Sequence, residues 1–318
     1  MNRRKFIVFT TSAAVGTAIG VGSLSASTAT PSPLRATDPK KALVLWYSQT
    51  GHTERIGRLL AKTLESEGLS VTVGSMASTD PATASDYDLI FFGTPVQYMD
   101  VPHNVKNWMK RLPDLAGIAT ASWVTYGGHG DNMHNTACGL LEAAAAKKAA
   151  PIGLGKFGNM STFAPTWSAM GNKERILRYR QFPDEQTYES ARAYAALIVS
   201  RIRTDQSFEF EREFTFSGLA ASMDMVWLTK KMINVHTIDE KRCIQCHTCS
   251  GTCPVGAIDP DKRTVNREAC LACFGCINNC PEDAVVMEYL YRPVYGWPRF
   301  CRENGIQIKE PVELTAKT

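Results

Sequence analysis

The chain has little excess charge of either sign once its first residues are set aside. Its 318 residues carry a formal net charge of +4 at pH 7, and three of those positive charges come from Arg3, Arg4 and Lys5. A mature chain that began after Ala29 would keep a net charge of only +1. Such a chain lacks the basic excess needed to bind nucleic acid or a strongly anionic membrane.

The N-terminal segment lacks acidic residues and a long uninterrupted apolar run. The first acidic residue is Asp38, and hydroxyl side chains at residues 10–12 interrupt the apolar stretch that extends to Leu24. These hydroxyls make the stretch a poor membrane span. A basic start, a weakly apolar centre and small residues at 27–29 are typical of a secretory signal, which we predict over residues 1–29. An uncleaved anchor and a disordered tail are the alternatives.

The paired arginines followed by Phe6 resemble the twin-arginine export signal, with Asn2 in place of the usual serine or threonine. That resemblance implies that the twin-arginine export machinery carries the folded protein to a periplasmic or cell-surface location. Residues 30–40 follow this segment and are rich in Ser, Thr, Ala and Pro, which predicts a flexible leader.

Eight of the ten cysteines fall into two copies of one pattern, Cys-x-x-Cys-x-x-Cys-x-x-x-Cys-Pro. The first copy contains Cys243, Cys246, Cys249 and Cys253, and the second contains Cys270, Cys273, Cys276 and Cys280. This spacing is typical of two [4Fe–4S] clusters. The copies are offset by 27 residues, and an internal repeat of this kind predicts a small pseudo-two-fold domain.

Residues 235–289 resemble the bacterial dicluster ferredoxins, in which the fourth cysteine of each copy ligates the other cluster. Cluster one then takes Cys243, Cys246, Cys249 and Cys280, and cluster two takes Cys270, Cys273, Cys276 and Cys253. The alternatives are a zinc site, which usually uses two cysteine pairs with a long gap, and disulfides. Cys138 and Cys301 have no partner motif and are predicted to be small buried hydrophobic residues.

Residues 41–203 alternate predicted strands with predicted helices. We expect strands at 42–47, 69–73, 88–93, 121–126 and near 152–163, and helices at 53–66, 105–112, 135–150 and 186–203. The last helix is expected to bury Tyr194, Leu197 and Ile198. This alternation predicts an α/β domain with a doubly wound parallel sheet, followed by the small α+β domain of the cysteine repeat.

The turn between the first strand and the first helix lacks the lysine of a nucleoside triphosphate site. It contains Ser48, Gln49, Thr50, Gly51, His52 and Thr53. Its hydroxyl groups and the free N–H groups of the helix start are suited to a phosphate group, and Gly51 lets the backbone approach closely. The alternative is that Thr50 or Thr53 only caps the helix.

This turn resembles the FMN phosphate loop of flavodoxins, although His52 stands where asparagine is common. The resemblance implies FMN at the switch point of a flavodoxin-like sheet. It places Thr94, Pro95 and Tyr98 along the isoalloxazine, and Gly127 and Gly128 at the flavin edge. His129 and His134 are the candidates for proton transfer near the flavin. For the last loop the alternative is an ordinary glycine-rich turn of the kind found in unrelated sheets.

Two segments lie outside both domains. The connector, residues 204–234, carries aromatic and methionine side chains that we expect to pack one domain against the other: Phe214, Phe216, Met223, Met225, Trp227 and Met232. The tail, residues 290–318, contains Trp297 near two prolines and is expected to run extended, back over one of the domains.

The whole plan resembles the flavodoxin–ferredoxin fusion proteins of the EFR1 type. The resemblance implies an exported electron-transfer protein that passes electrons between FMN and two [4Fe–4S] clusters. Its expected partner is a redox protein or a small periplasmic electron acceptor. Two alternatives stay open: an FMN-dependent reductase of a small periplasmic acceptor, and a cluster-bearing subunit of a larger, membrane-associated oxidoreductase.

Overall fold

A five-stranded parallel sheet forms the centre of the first domain. The computed structural model describes residues 32–128, 132–215 and 223–315, so the predicted signal segment lies outside the described residues. The strands are β1 Lys41–Trp46, β2 Ser70–Ser75, β3 Leu89–Pro95, β4 Ala119–Gly127 and β5 Ala150–Asn159. Their order is β2-β1-β3-β4-β5, which is the doubly wound flavodoxin-like order predicted from the sequence.

Helices cover both faces of this sheet. They are α1 His52–Ser66, α2 His103–Lys110, α3 Met133–Ala145, α4 Lys173–Leu177 and α5 Glu185–Arg203, with short 3-10 helices at Pro81–Asp86 and Ala164–Thr166. One apolar core joins α1 and α5 to the sheet through Ile56, Leu60 and Ile198, which are fully buried. A second core lies on the opposite face, under α2.

Two details of these helices differ from the prediction. α3 ends at Ala145 rather than at 150, because the chain turns through Lys148, whose φ is 64°, and then begins β5. Leu197 is 45% exposed, whereas its neighbours Tyr194 and Ile198 are buried. The reason is helical geometry, since Leu197 points about 100° away from Ile198 around the helix axis.

The cysteine-rich domain is built from short antiparallel strands. The sheet order is β10-β9-β6, and a small hairpin pairs β7 with β8. The strands are β6 Ile233–Ile238, β7 Ile258–Asp259, β8 Thr264–Val265, β9 Val285–Tyr289 and β10 Arg292–Val294. The helices are α6 Met225–Met232 before the sheet, and α7 Thr248–Gly251 and α8 Gly275–Asn279 within the cysteine repeat.

The two domains share one apolar core inside a single unit, Pro31–Thr318. Met160 and Trp167, from the segment after β5, are buried in the same cluster as Phe274 of the cysteine repeat and Phe300 of the tail. The ring centroids of Phe163 and Phe274 lie 4.9 Å apart, and the two rings pack edge to face. The segment that leaves the parallel sheet is therefore also a wall of the cysteine-rich domain.

The tail contacts the first domain, but part of it is helical rather than extended. The helices α9 Trp297–Asn304 and α10 Val312–Thr315 interrupt it, and Pro298 lies in the first turn of α9, where proline is tolerated. Beyond α9, Glu310 accepts two hydrogen bonds from Arg55 of α1, and the Tyr188 hydroxyl of α5 donates to the Lys309 carbonyl at 2.6 Å.

Only part of the connector packs as expected. Phe214, Met223 and Trp227 are largely exposed, at 86%, 61% and 57%, so the expectation that they bury themselves between the domains is wrong. Met232 does pack against the core of the cysteine-rich domain. Phe216 lies outside the described residues. No helix in the described part of the chain is long and apolar enough to cross a bilayer.

Candidate cofactor sites

The predicted phosphate loop lies where β1 ends and α1 begins. Gly51 has a φ of 83°, in the left-handed region that a side chain would strain, and it stands directly before the first turn of α1. No side chain caps α1. Thr53 is buried and its hydroxyl contacts the Thr125 hydroxyl at 2.7 Å. The alternative of a simple threonine cap is therefore not realised.

Two polar atoms of this loop are buried without a partner. The Ser48 hydroxyl and the His52 Nε2 atom make no hydrogen bond within the described residues. A buried polar group left unpaired costs about 1–3 kcal/mol, so such groups usually meet a ligand or water. A phosphate at the start of α1 would accept a hydrogen bond from the Ser48 hydroxyl and would face the positive end of the helix dipole. The loop therefore fits the terminal phosphate of FMN.

A cavity of about 370 Å³ opens beside this loop. Its lining includes Ser48, Gln49, Thr50, His52 and Thr53 from the first loop, Pro95 and Tyr98 from the second, and Gly127 from the third. Three loops that are far apart in the sequence thus meet at the carboxyl ends of β1, β3 and β4. Thr94, Gly51 and Gly128 lie outside the lining, and the Thr94 hydroxyl donates to the Pro95 carbonyl at 3.3 Å.

Gly127 has a structural role in addition to the predicted one at the flavin edge. A Cβ atom at this position would lie 2.2 Å from the backbone nitrogen of Ser161. The absent side chain therefore admits the segment that follows β5, in addition to any room that it leaves at the flavin edge. Gly128 has a φ of 88°, which also favours glycine.

Tyr98 lies in the cavity wall but is also tied to the cysteine-rich domain. Its φ is 51°, and its hydroxyl donates to the Ala272 carbonyl at 2.5 Å. Its ring lies edge to face with Phe163, with the ring centroids 6.2 Å apart. Burial raises the pKa of Tyr98 well above its usual value, so the hydroxyl stays protonated and keeps donating. The side chain predicted to lie along the flavin therefore also bridges the two domains.

Of two histidines in the first domain, His52 lies beside the cavity and His134 does not. Burial, and then the charge of Arg55, lowers the pKa of His52 to about 3, so this ring is neutral beside the cavity. His134 does not line the cavity; its Nε2 atom lies 2.8 Å from the Glu211 carbonyl, in a separate groove beneath the connector. The expectation that His134 transfers protons near the flavin is therefore wrong. His129 lies outside the described residues.

Several residues of the cavity wall were not expected from the sequence. They are Asn159 at the end of β5, Met160, Ser161, Thr162 and Phe163 after it, Met225 and Thr229 of α6, and Cys273 and Tyr289 of the cysteine-rich domain. The residues after β5 could have been found, because the carboxyl end of every strand in such a sheet faces the ligand. The others come from a second domain, and no local pattern in the sequence indicates their approach.

The cysteines form two groups. Cys243, Cys246, Cys249 and Cys280 line one small cavity. Burial raises the pKa of Cys249, and the neighbouring thiols Cys280, Cys243 and Cys246 raise it further. In the other group burial raises the pKa of Cys276, with further contributions from Cys273, Cys270 and Cys253. Each group thus takes its fourth thiol from the other copy, in the arrangement predicted for the ligands.

The two copies also share their backbone geometry. Gln245 and His247 have φ values of 54° and 60°, and the residues 27 positions later, Ala272 and Phe274, have 50° and 60°. The N–H of Ala257 donates to Cys253 at 3.1 Å, and the N–H of Ala284 donates to Cys280 at 3.1 Å. All ten cysteines lie in the described ranges, and none forms a disulfide. Free thiols in two such loops fit two [4Fe–4S] clusters.

Family models match the chain in both domains. A family model described as a flavodoxin domain matches residues 43–138, and one described as a 4Fe-4S dicluster domain matches residues 236–281. Among solved structures, a flavodoxin from Streptococcus pneumonia is 16% identical, with a TM-score of 0.41 over 51% of this chain and 99% of that one. Flavodoxin 2 from Bacillus cereus is 18% identical, with a TM-score of 0.40 over the same shares.

Two segments of the chain therefore match known domain families, which supports a fusion of a flavodoxin domain with a 4Fe-4S dicluster domain. The first domain implies FMN and the second implies iron–sulfur clusters, so the protein has an electron-transfer role and needs redox partners.

Proposed function

We propose that this protein passes electrons within one chain between FMN and two [4Fe–4S] clusters. One observation carries the proposal: Cys273, a predicted ligand of cluster two, lines the same cavity as Ser48, Thr50 and Tyr98. FMN supplies two-electron chemistry that can also proceed in single steps, and each cluster supplies one-electron transfer. Ser48, Thr50 and the start of α1 would hold the phosphate, and the eight thiolates would hold the clusters.

Cluster one is proposed as the contact with outside redox partners. Cys246 is the most open of its four predicted ligands, since it is exposed while Cys249 and Cys280 are buried. Electrons would enter or leave there, and cluster two would connect cluster one with the flavin site. The partner is a redox protein or a small periplasmic electron acceptor.

The proposal is tested by the concentration dependence of internal electron transfer. Because both domains belong to one chain, the local concentration of one site at the other is on the order of millimolar or higher. The rate at which flavin oxidation is coupled to cluster reduction, measured by stopped-flow absorbance, should therefore not change with protein concentration. A rate that rises in proportion to concentration would show that the domains exchange electrons only through an outside partner.

We further propose that the protein is of the EFR1 type and is exported after cofactor loading, through Arg3 and Arg4. Clusters require a supply of iron and sulfide that an oxidising compartment does not favour, so loading before export resolves the conflict. Changing both arginines to lysine keeps the charge but removes the guanidinium groups. This variant should stay inside the cell, whereas the control Lys5→Arg should be exported. Export of the double variant with its clusters intact would contradict the twin-arginine assignment.

A further inference from the structure

The C-terminal tail reaches the start of α1 at two points. Trp297, the first residue of α9, packs edge to face against the ring of His52, with the ring centroids 5.7 Å apart. Further along the tail, Glu310 accepts two hydrogen bonds from Arg55, at 2.8 and 2.6 Å. His52 is the first residue of α1, and Arg55 follows three residues later on the same side of the helix. The tail therefore contacts two side chains of α1, one of which belongs to the candidate phosphate loop.

The contact with Arg55 fixes which nitrogen of His52 carries the ring proton. Arg55 Nη1 lies 3.3 Å from His52 Nδ1. A guanidinium group can only donate hydrogen bonds, so the Nδ1 atom must be the acceptor. Burial, and then the charge of Arg55, lowers the pKa of His52 to about 3, so the ring is neutral and has a single proton. That proton is on Nε2, which is therefore an N–H donor.

This donor is buried in the wall of the flavin cavity and has no acceptor. His52 is 5% exposed and lines the cavity, and its Nε2 atom makes no hydrogen bond within the described residues. The Oδ1 atom of Asn159, in the same lining, is also unpaired and so does not serve as its acceptor. A buried donor without an acceptor is costly, and an anionic oxygen is the acceptor that binds it most strongly. An oxygen of the terminal phosphate of FMN fits this requirement.

We propose that the C-terminal tail is part of the FMN site: Glu310 holds Arg55 against His52, and His52 Nε2 donates a hydrogen bond to the terminal phosphate. Arg55 and Glu310 are positioning residues, because they act on the phosphate only through His52. Trp297 restricts the rotation of the His52 ring by packing against it. The inference rests on the proposed function in one respect, since it takes FMN as the occupant of the cavity with its phosphate at the start of α1.

The same tail offers a matched control. Glu313 accepts two hydrogen bonds from Arg192 of α5, at 2.6 and 2.9 Å, so it forms the same kind of two-point pair as Glu310. Neither Glu313 nor Arg192 lines the flavin cavity. Glu313→Gln therefore weakens one contact between the tail and the first domain and leaves the contact between Arg55 and His52 in place.

The experiment compares the binding of FMN with that of riboflavin, which lacks the phosphate, to the full-length protein after its flavin has been removed and its clusters kept. Quenching of flavin fluorescence gives both dissociation constants. The wild type should bind FMN more tightly than riboflavin. His52→Phe keeps an aromatic ring beside Trp297 but loses the donor, so FMN affinity should fall about tenfold or more while riboflavin affinity stays unchanged. Glu310→Gln should lower FMN affinity by about threefold, and Glu313→Gln should not change it.

The proposal is overturned if His52→Phe keeps the FMN affinity of the wild type, or if it loses affinity for both flavins equally, since a purely structural role would affect both. Equal FMN affinities in Glu310→Gln and Glu313→Gln would also overturn it. If His52→Phe does not fold, the comparison of these two glutamate variants decides. The proposed function fails separately, through a concentration-dependent rate of internal electron transfer in the wild type. A selective loss of FMN affinity would still stand in that case.

Discussion

The two copies of the cysteine pattern have the same spacing and the same backbone turns but opposite surroundings. In the first copy His247 is exposed, where its ring lies 3.3 Å from Asp261. The matching residue of the second copy is Phe274, which is 2% exposed and packs against Phe163. The same ligand loop therefore becomes an exposed site in one copy and a wall of the flavin cavity in the other. Residues between the cysteines make this difference.

The largest difference between the two copies is expected when one predicted ligand is removed from each. Cys273→Ser should remove cluster two and abolish electron exchange with FMN, because the cluster nearest the cavity is lost. Cys246→Ser should remove cluster one and leave that exchange intact. Both variants should fall from about eight irons per chain to about four, since each cluster has four. Iron analysis and stopped-flow absorbance measure the two effects. Equal rates in both variants would contradict the assignment of the second copy to the flavin side.

The next comparison concerns the residues between the ligands. Phe274→Ala should lower the free energy of unfolding by about 3–5 kcal/mol, because it leaves a cavity in the core shared by both domains. His247→Ala, at the matching position of the first copy, should have almost no effect, since that side chain is exposed. Denaturant unfolding followed by tryptophan fluorescence under anaerobic conditions measures both. A loss of similar size at His247 would mean that the two copies are equally packed.

The next prediction concerns FMN binding at the candidate phosphate loop. Ser48→Ala should weaken FMN binding by about 1–3 kcal/mol, because it removes a buried donor whose partner would be the phosphate. The same range is expected for each hydroxyl in Thr50→Ala and Thr53→Ala. The control is Thr94→Val, whose hydroxyl lies outside the cavity lining and whose substitution should leave the dissociation constant unchanged. Titration of the apoprotein with FMN, followed by flavin fluorescence, gives the constants. An unchanged constant in Ser48→Ala would place the phosphate elsewhere.

The smallest effect on stability is expected at the ion pair between the tail and the first domain. The carboxylate of Glu310 and the guanidinium of Arg55 are 2.6 Å apart, and the Arg55 side chain is only 12% exposed. Glu310→Gln should therefore destabilise the protein by about 1 kcal/mol or less. Lys262 pairs with Asp259 in the cysteine-rich domain, but its side chain is 78% exposed, so Lys262→Gln should cause no measurable change. Thermal unfolding compares the two. A larger loss of stability in Lys262→Gln than in Glu310→Gln would contradict the expectation that the Glu310–Arg55 pair contributes more.

Much of the fold could be predicted because its signals are local. Apolar runs and helical periodicity depend on neighbouring residues, and the predicted doubly wound sheet is confirmed, with β5 starting at Ala150. Errors came where a turn, or the side of a helix that meets the sheet, decided the outcome. The end of α3 depends on the turn that starts β5, and the exposure of Leu197 depends on which side of α5 meets the sheet. Tyr98 could be placed near the flavin site, but its bond to Ala272 could not be predicted.

The residues of both candidate sites could be identified from local patterns in the sequence. Cysteine spacing defines the eight candidate ligands, and the loop from Ser48 to Thr53 defines the candidate phosphate site, because both depend on short stretches of chain. No local pattern indicates that the second copy, through Cys273, faces the flavin cavity, because this depends on how the two domains pack. The physical reason is that the two ligand loops are locally equivalent. The choice between them follows from burying Phe274 against Phe163, and that contact exists only once the two domains have folded together.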